Sequence, residues 1–254
     1  MNYPKPVALA ALVLGLVFHS TTIAESDEGQ IARAIAERFP GSTPEYIAPS
    51  PIPGFYEVSL GGELIYVTSD AQFAFIGRLF DLESRADLSE PVVAKIRLKT
   101  IDEVPENKMI IFEPMGPTKH TITTFTDVDC PYCRKMHKEI DQLLEAGVRV
   151  RYLLYPRTAI GSPSYLKAVS VWCSGDRNEA LTRAKLGETP EARDCPNPVA
   201  EHMQLAGRLG LTGTPMTITD SGERLLGYLP ADRLVARLEA STQAKIPVTE
   251  RRDQ

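Results

Sequence analysis

Two cysteines separated by two residues, Cys130-Pro131-Tyr132-Cys133, stand where one local pattern gives way to another. Before them, Thr121–Phe125 is β-branched and apolar, as strands are. After them, Met136, Ile140, Leu143 and Leu144 recur at helical spacing within Pro131–Leu144. Gly147 caps that helix, and Val148–Tyr155 reads as a buried strand. Strand, helix and strand in so short a stretch form a βαβ unit, which implies a parallel pair of strands.

The flanking segments extend this unit. Lys108–Phe112 reads as a preceding strand. Ser162 to Gly210 is helical but interrupted by Gly, Pro and polar residues. Met216–Thr219 and Arg224–Gly227 read as two further strands, and Pro230–Thr242 as a closing helix with Leu234, Val235 and Leu238 inward. A βαβ unit, a helical insert near 160–210 and a ββα unit make a thioredoxin-like α/β domain over 106–254.

The region 25–86 has a different texture, and with it the chain as a whole is α+β. Ile31, Ile35 and Phe39 mark a helix that Pro40-Gly41 ends. Phe55–Leu60 alternates, Gly61-Gly62 turns, and Leu64–Val67 returns as a hairpin. Gln72–Ile76 and Leu79–Leu82 read as further strands. So small a unit buries little core and leaves strand edges open, and dimerisation solves both problems. Residues 87–105 read as a charged linker helix with few anchoring apolar residues, started by Ser89, Glu90 and Pro91.

The first 24 residues have the pattern of a secretory signal peptide: Lys5, an apolar run Val7–Phe18, and small residues up to Ala24. A spanning helix needs about 20 apolar residues, more than this run supplies. The reading is therefore a soluble, exported protein. The chain carries 28 basic and 33 acidic residues, scattered rather than blocked, and no basic stripe of the kind nucleic acid requires. An oxidising compartment lets disulfides persist. Four cysteines allow three connectivities, and proximity favours Cys130–Cys133 and Cys173–Cys195.

A cysteine at the mouth of a helix meets free N–H groups and the positive end of the helix dipole, which favour its thiolate. Such sites lower the thiol from about 8.5 to between about 3.5 and 7.5. Cys130 has that place; Cys133, one turn in, should be more buried and less ionised. The expectation is that Cys130 attacks a substrate sulfur and Cys133 resolves the mixed disulfide. A zinc site would need a second close pair or a Cys/His set, and none is spaced for it. A structural bridge across so small a loop would stabilise little. No metal or cofactor is expected.

Gly213-Thr214-Pro215-Met216 precedes a strand far from these cysteines in sequence. In thioredoxin-like folds the proline at this place is cis and faces the reactive pair. Pro215 would then expose the Thr214 backbone for strand-like pairing with substrate and keep metals off the thiolates. Together these segments resemble the DsbC/DsbG family of periplasmic protein disulfide isomerases. The resemblance runs through Phe125-Thr126-Asp127, Cys130–His137, Arg151-Tyr152-Leu153, Tyr155-Pro156-Arg157, Val171-Trp172-Cys173, Leu209–Pro215 and Gly227-Tyr228.

The resemblance implies a V-shaped homodimer joined through its N-terminal domains, with two thioredoxin domains facing an apolar cleft that holds clients in a chaperone-like way. It implies a second disulfide, Cys173–Cys195, in the helical insert. It also implies misfolded or oxidised exported proteins as clients, and a membrane thiol reductant of the DsbD type that keeps the pair reduced. Pro131-Tyr132 looks like the DsbG branch, where DsbC members typically have Gly-Tyr. Reduction of sulfenylated single cysteines is therefore the alternative activity, and a redox-silent holdase the alternative of another class.

Other residues invite weaker readings. Tyr132 lies between the cysteines as a possible substrate contact. His137 is read as a surface or core-edge histidine before a tuner of the thiolate. His120 and His202 are read as structural and Trp172 as core. Asp127 and Asp129 place negative charge beside the site unless they cap the helix.

Overall fold

The computed structural model describes residues 27–244. The signal-peptide expectation lies outside them. Among the described residues, no helix is long and apolar enough to cross a membrane.

Helix α1 (Asp27–Arg38) opens with two acids and ends with a base, as the helix dipole favours. It buries Ile31 and Ile35 on an antiparallel sheet of β1 (Tyr46–Pro49), β2 (Phe55–Leu60), β3 (Glu63–Thr68) and β4 (Ala74–Ile76), in that spatial order. Val58 and Val67 complete this small core. The hairpin β2–β3 pairs Leu60 with Glu63 across Gly61-Gly62, both at positive φ.

Two strand expectations are corrected. Only Ala74–Ile76 of the segment 72–76 is strand, because Gln72 and Phe73 donate their N–H groups to the side chains of Asp70 and Thr68 in a turn. Segment 79–82 contributes only a bridge from Phe80 to Asp87. There the Asp81 carboxylate accepts the N–H groups of Glu83 and Ser84, and this local bonding competes with a ladder.

Helix α2 (Glu90–Asp102) is better anchored than its charged sequence suggests. Ile96 packs with Leu64 and Tyr66, and Ile101 with Met109, Phe125 and Leu205. Its start is held by Asp87, whose Oδ1 accepts from the N–H groups of Ser89 and Glu90. Ser89 is turned instead to the Tyr66 hydroxyl and the Leu79 N–H. Arg97 is buried, donating to Glu90 and to the Gly222 carbonyl. Gly222 lies against this helix at φ +81°, and a Cβ there would meet the Ala94 carbonyl oxygen at 2.3 Å.

The second sheet has the order β5-β7-β6-β8-β9. It comprises β5 (Ile110–Phe112), β6 (His120–Thr126), β7 (Val148–Leu154), β8 (Met216–Ile218) and β9 (Arg224–Leu226). Strands β6 and β7 are parallel, His120 opposite Val148 through Thr126 opposite Leu154, and the other pairs are antiparallel. The crossover contains two helices where one is expected: α3 (Pro131–His137) and α4 (Ile140–Glu145). The break falls at Lys138-Glu139. The Glu139 carboxylate accepts from the Tyr228 hydroxyl at 2.6 Å and from the Ala231 N–H at 2.8 Å, so it caps the last helix, α8 (Ala231–Ala244).

The insert is α5 (Pro163–Trp172), α6 (Arg177–Leu186) and α7 (Val199–Arg208). Ser162 and Asp176 cap the first two through the N–H groups of Tyr165 and Glu179. One sheet face packs Ile122, Val150 and Leu154 against Met136, Leu143, Leu181 and Leu234. The other packs Phe125, Leu153 and Met216 against Leu205 and Ile101. The alternation of strand side chains feeds both layers.

Candidate active site

Strand β6 ends at Thr126, and the chain turns through Asp127-Val128-Asp129 into α3. Asp127 makes that turn. Its Oδ1 accepts from the Asp129 N–H at 2.9 Å and the Ser164 hydroxyl at 3.0 Å; its Oδ2 accepts from Arg157 Nε at 2.9 Å and the Arg157 N–H at 3.2 Å. Burial alone would raise this carboxyl, but these donors outweigh it and hold the group below the usual carboxylate range. Asp129 meets Lys167 at 2.9 Å and Arg134 at 3.3 Å. Neither acid caps α3, and both are offset by cations.

Cys130 is the N-cap of α3 in extended conformation, with Pro131 just inside the helix. Its Sγ donates to the Thr214 carbonyl at 3.3 Å. Cys130 and Cys133 are both free thiols and both buried. Burial pushes the Cys130 thiol up, yet the Thr214 side chain and the backbone N–H groups of Cys133 and Tyr132, all placed to favour a thiolate, bring it below its ordinary value. For Cys133, burial dominates and the thiol is raised, although Lys185, the Asp127 backbone and Thr126 pull it down. The two thiols thus differ in the sense expected of an N-cap and an interior position.

The Thr214–Pro215 peptide is cis and both residues are buried. Thr214 Oγ1 is the one buried side-chain polar atom without a hydrogen-bond partner among the described residues. A thiolate on Cys130 would give that hydroxyl an acceptor. Tyr132 lies on the outer side of the pair, 63% exposed. Cys173 and Cys195 are joined in a disulfide that ties the end of α5 to the segment before α7.

The three histidines among the described residues are held inside. His137 meets the Tyr152 hydroxyl at 3.2 Å and the Thr182 hydroxyl at 3.0 Å; burial, with the nearby Lys185, lowers it to about 4. His202 accepts the Leu154 N–H on Nδ1 and donates from Nε2 to the Lys108 carbonyl, which fixes a neutral tautomer, and burial lowers it to about 4. His120 pairs with Asp220 at 2.9 Å. Trp172 is buried under the Arg177 guanidinium, 3.7 Å from its ring centre.

One group at the site has no mark in the sequence. Lys185, from α6, is 1% exposed and donates to Thr126 Oγ1 at 2.6 Å and to the Asp127 carbonyl at 2.7 Å. It stands in Arg177–Leu186, a helix with charged residues spread around it, where no periodicity separates a buried lysine from solvated ones.

Comparison with known proteins places these features. Residues 111–242 match the thioredoxin-like domain family, and residues 22–90 match the N-terminal domain of disulfide bond isomerase proteins. The chain is 30% identical over 207 residues to the thiol:disulfide interchange protein DsbC of Escherichia coli K12, covering 82% of this chain and 85% of that one. It is 30% identical over 235 residues to DsbC of Pasteurella multocida, covering 91% and 97%. A disulfide interchange protein from Neisseria gonorrhoeae superposes with TM-score 0.48 and 28% identity, over 54% of this chain and 99% of that one. A C-x-x-C at a helix mouth beside a cis proline, joined to both matched domains and to relatives matched over most of their length, identifies this chain as a member of the DsbC family of thiol–disulfide oxidoreductases.

Proposed function

We propose that this protein isomerises or reduces incorrect disulfides in exported proteins of the periplasm, with Cys130 as attacking sulfur and Cys133 as resolving sulfur. The observation that carries the assignment is the placement of the two sulfurs: Cys130 is the N-cap of α3 beside cis Pro215, where the Thr214 side chain and the N–H groups of Cys133 and Tyr132 favour its thiolate, whereas Cys133 lies inside the helix, where burial disfavours ionisation. The Cys130 thiolate attacks one sulfur of a client disulfide. The Cys130–client bond forms, the client bond breaks, and the departing sulfur takes the electron pair and a proton. Another client thiolate then displaces Cys130 with a new pairing, or Cys133 attacks Cys130 and releases a reduced client thiol. The second route leaves the pair oxidised, and a membrane thiol donor of the DsbD type returns two electrons and two protons.

Thr214 and Pro215 form the wall where an extended client segment pairs with backbone, and exposed Tyr132 touches it from the other side. Two copies joined through residues 25–86 hold the client between them, which also allows chaperone-like binding.

The test is recovery of scrambled ribonuclease, with iodoacetamide mapping of the reduced protein at mildly acidic pH. Cys130 should be labelled first, and Cys130→Ser should abolish recovery. Preferential labelling of Cys133 would reverse the roles, recovery that survives Cys130→Ser would point to binding alone, and turnover restricted to sulfenylated single cysteines would assign the DsbG-like activity.

A further inference from the structure

Lys185 is the group at this site for which the exchange steps above give no role. We propose that Lys185 is a positioning residue for Cys133: its buried ammonium stabilises the Cys133 thiolate that forms when the mixed disulfide is resolved, and so sets how long a client stays attached. The inference rests on the roles assigned to the two cysteines.

An isolated buried ammonium is costly, and burial ordinarily requires a counter-charge. Both hydrogen-bond acceptors of Lys185, Thr126 Oγ1 and the Asp127 carbonyl, are neutral. The nearby carboxylate of Asp127 favours the ammonium at a distance, but it makes no hydrogen bond to it and is engaged by Arg157, Ser164 and the Asp129 N–H. The other polar and titratable groups around Lys185 offer no anion. Arg134 is a cation turned to Val128 and Asp129; His137 is neutral above about 4; Tyr152 is buried and its hydroxyl is held protonated. The remaining ionisable neighbours are the two thiols; Lys185 Nζ is held on Thr126 and the Asp127 backbone, the same groups that bond Cys133, and there its charge favours the Cys133 thiolate. Burial brings Lys185 itself down to about 8, so at neutral pH it remains largely charged. Its acceptors lie on the segment joining β6 to Cys130, so the ammonium is fixed to the same backbone that places the pair.

In the resolving step Cys133 loses its proton to solvent, and its thiolate attacks Cys130 Sγ. The Cys130–Cys133 bond forms as the Cys130–client bond breaks. The client sulfur leaves with the electron pair and takes a proton from solvent. Lys185 is unchanged at the end. A raised Cys133 thiol slows this step, and the ammonium offsets part of that delay. The balance between the two divides an attached client between rearrangement and release.

The experiment compares Lys185→Met, which has similar volume and no charge, with Lys185→Gln, which keeps hydrogen bonding and no charge. In the Cys130→Ser background, ultraviolet thiolate absorbance against pH should show the Cys133 titration moved up by about one pH unit by either change. In the Cys133→Ser background the Cys130 profile should move far less. The mixed disulfide with glutathione should persist about tenfold longer in both variants. In the unmodified protein, the Lys185 ammonium followed by NMR should titrate at lower pH in the disulfide form than in the dithiol form, because oxidation removes its prospective counter-ion. Folded variants with an unchanged Cys133 profile, equal shifts at both cysteines, or a Lys185 titration indifferent to redox state would overturn the inference while leaving the cysteine roles intact. First labelling of Cys133 in the unmodified protein would overturn the roles and the inference together.

Discussion

A negative charge three positions before Cys130 ought to oppose a thiolate, yet Asp127 is committed elsewhere. It carries the turn into α3 and holds Arg157, whose cation lies on the same side as the pair. Sequence distance gives the charge and not its partner, because Arg157 and Ser164 come from the far side of β7. Replacing Asp127 with Asn removes the charge-assisted bond to Arg157 while keeping an acceptor for the Asp129 N–H. It should cost about 1–3 kcal/mol in urea unfolding at neutral pH. The folded carboxyl lies below its unfolded value. Its contribution is therefore fully present above the ordinary range near about 4 and is lost as pH falls through the depressed folded value. Asp127→Asn should flatten that acid limb of stability. Parallel curves for the two proteins between neutral and strongly acidic pH would contradict the assignment.

The same logic reaches the helices through the histidines. His202 links α7 to β7 and to the segment before β5, and His137 links α3 to α6 and β7. Both are lowered to about 4 by burial, so from about 6.5 downwards the unfolded chain binds protons the folded protein refuses. Stability should be indifferent to these groups above about 6.5 and fall below it by roughly 1.4 kcal/mol per pH unit per histidine until about 4. Urea midpoints across that range decide, and a flat profile would show solvated rings. The Cys173–Cys195 bridge, with a sequence separation of 22, acts on the same insert. Its closure contributes on the order of 3 kcal/mol in the chain-entropy model, so Cys173→Ser should lower the melting temperature and keep part of the exchange activity. Most elements of the chain were legible because their apolar spacing is regular. Those that were not owe their form to distant partners. Strand β1 is a short edge strand of half-exposed residues ending in Pro49, without alternation. The α3–α4 break accompanies a glutamate that caps α8, a contact spanning 92 positions. Lys185 is buried by tertiary packing that its helix sequence does not announce.

The N-terminal unit exposes what a monomer should hide. Strand β4 is exposed at all three residues and is the last in its sheet, so among the described residues one of its edges has no partner strand. Phe73, Ile76, Phe80 and Leu82, from the residue before β4 to the turn after it, are each more than half exposed. The core of that unit rests on Ile31, Ile35, Val58 and Val67, which is little for independent stability. A two-fold pairing through this edge covers both the apolar side chains and the open ladder. It would also bring two Cys130 sites to one shared client, so that apolar contacts would keep the client in place while its disulfide is attacked. A lone catalytic domain has the same cysteines without that hold, and on the roles proposed above a client attached to it would be released by Cys133 before it could rearrange. Deleting residues 25–85 should therefore yield a monomer by light scattering that still reduces insulin but has lost at least tenfold in recovery of scrambled ribonuclease. The full chain should sediment as a dimer at micromolar concentration, and Phe80→Asp should shift it toward monomer by placing a charge within the apolar edge. Full-length protein that sediments as a monomer, or a deletion variant with undiminished isomerisation, would remove the N-terminal unit from the mechanism.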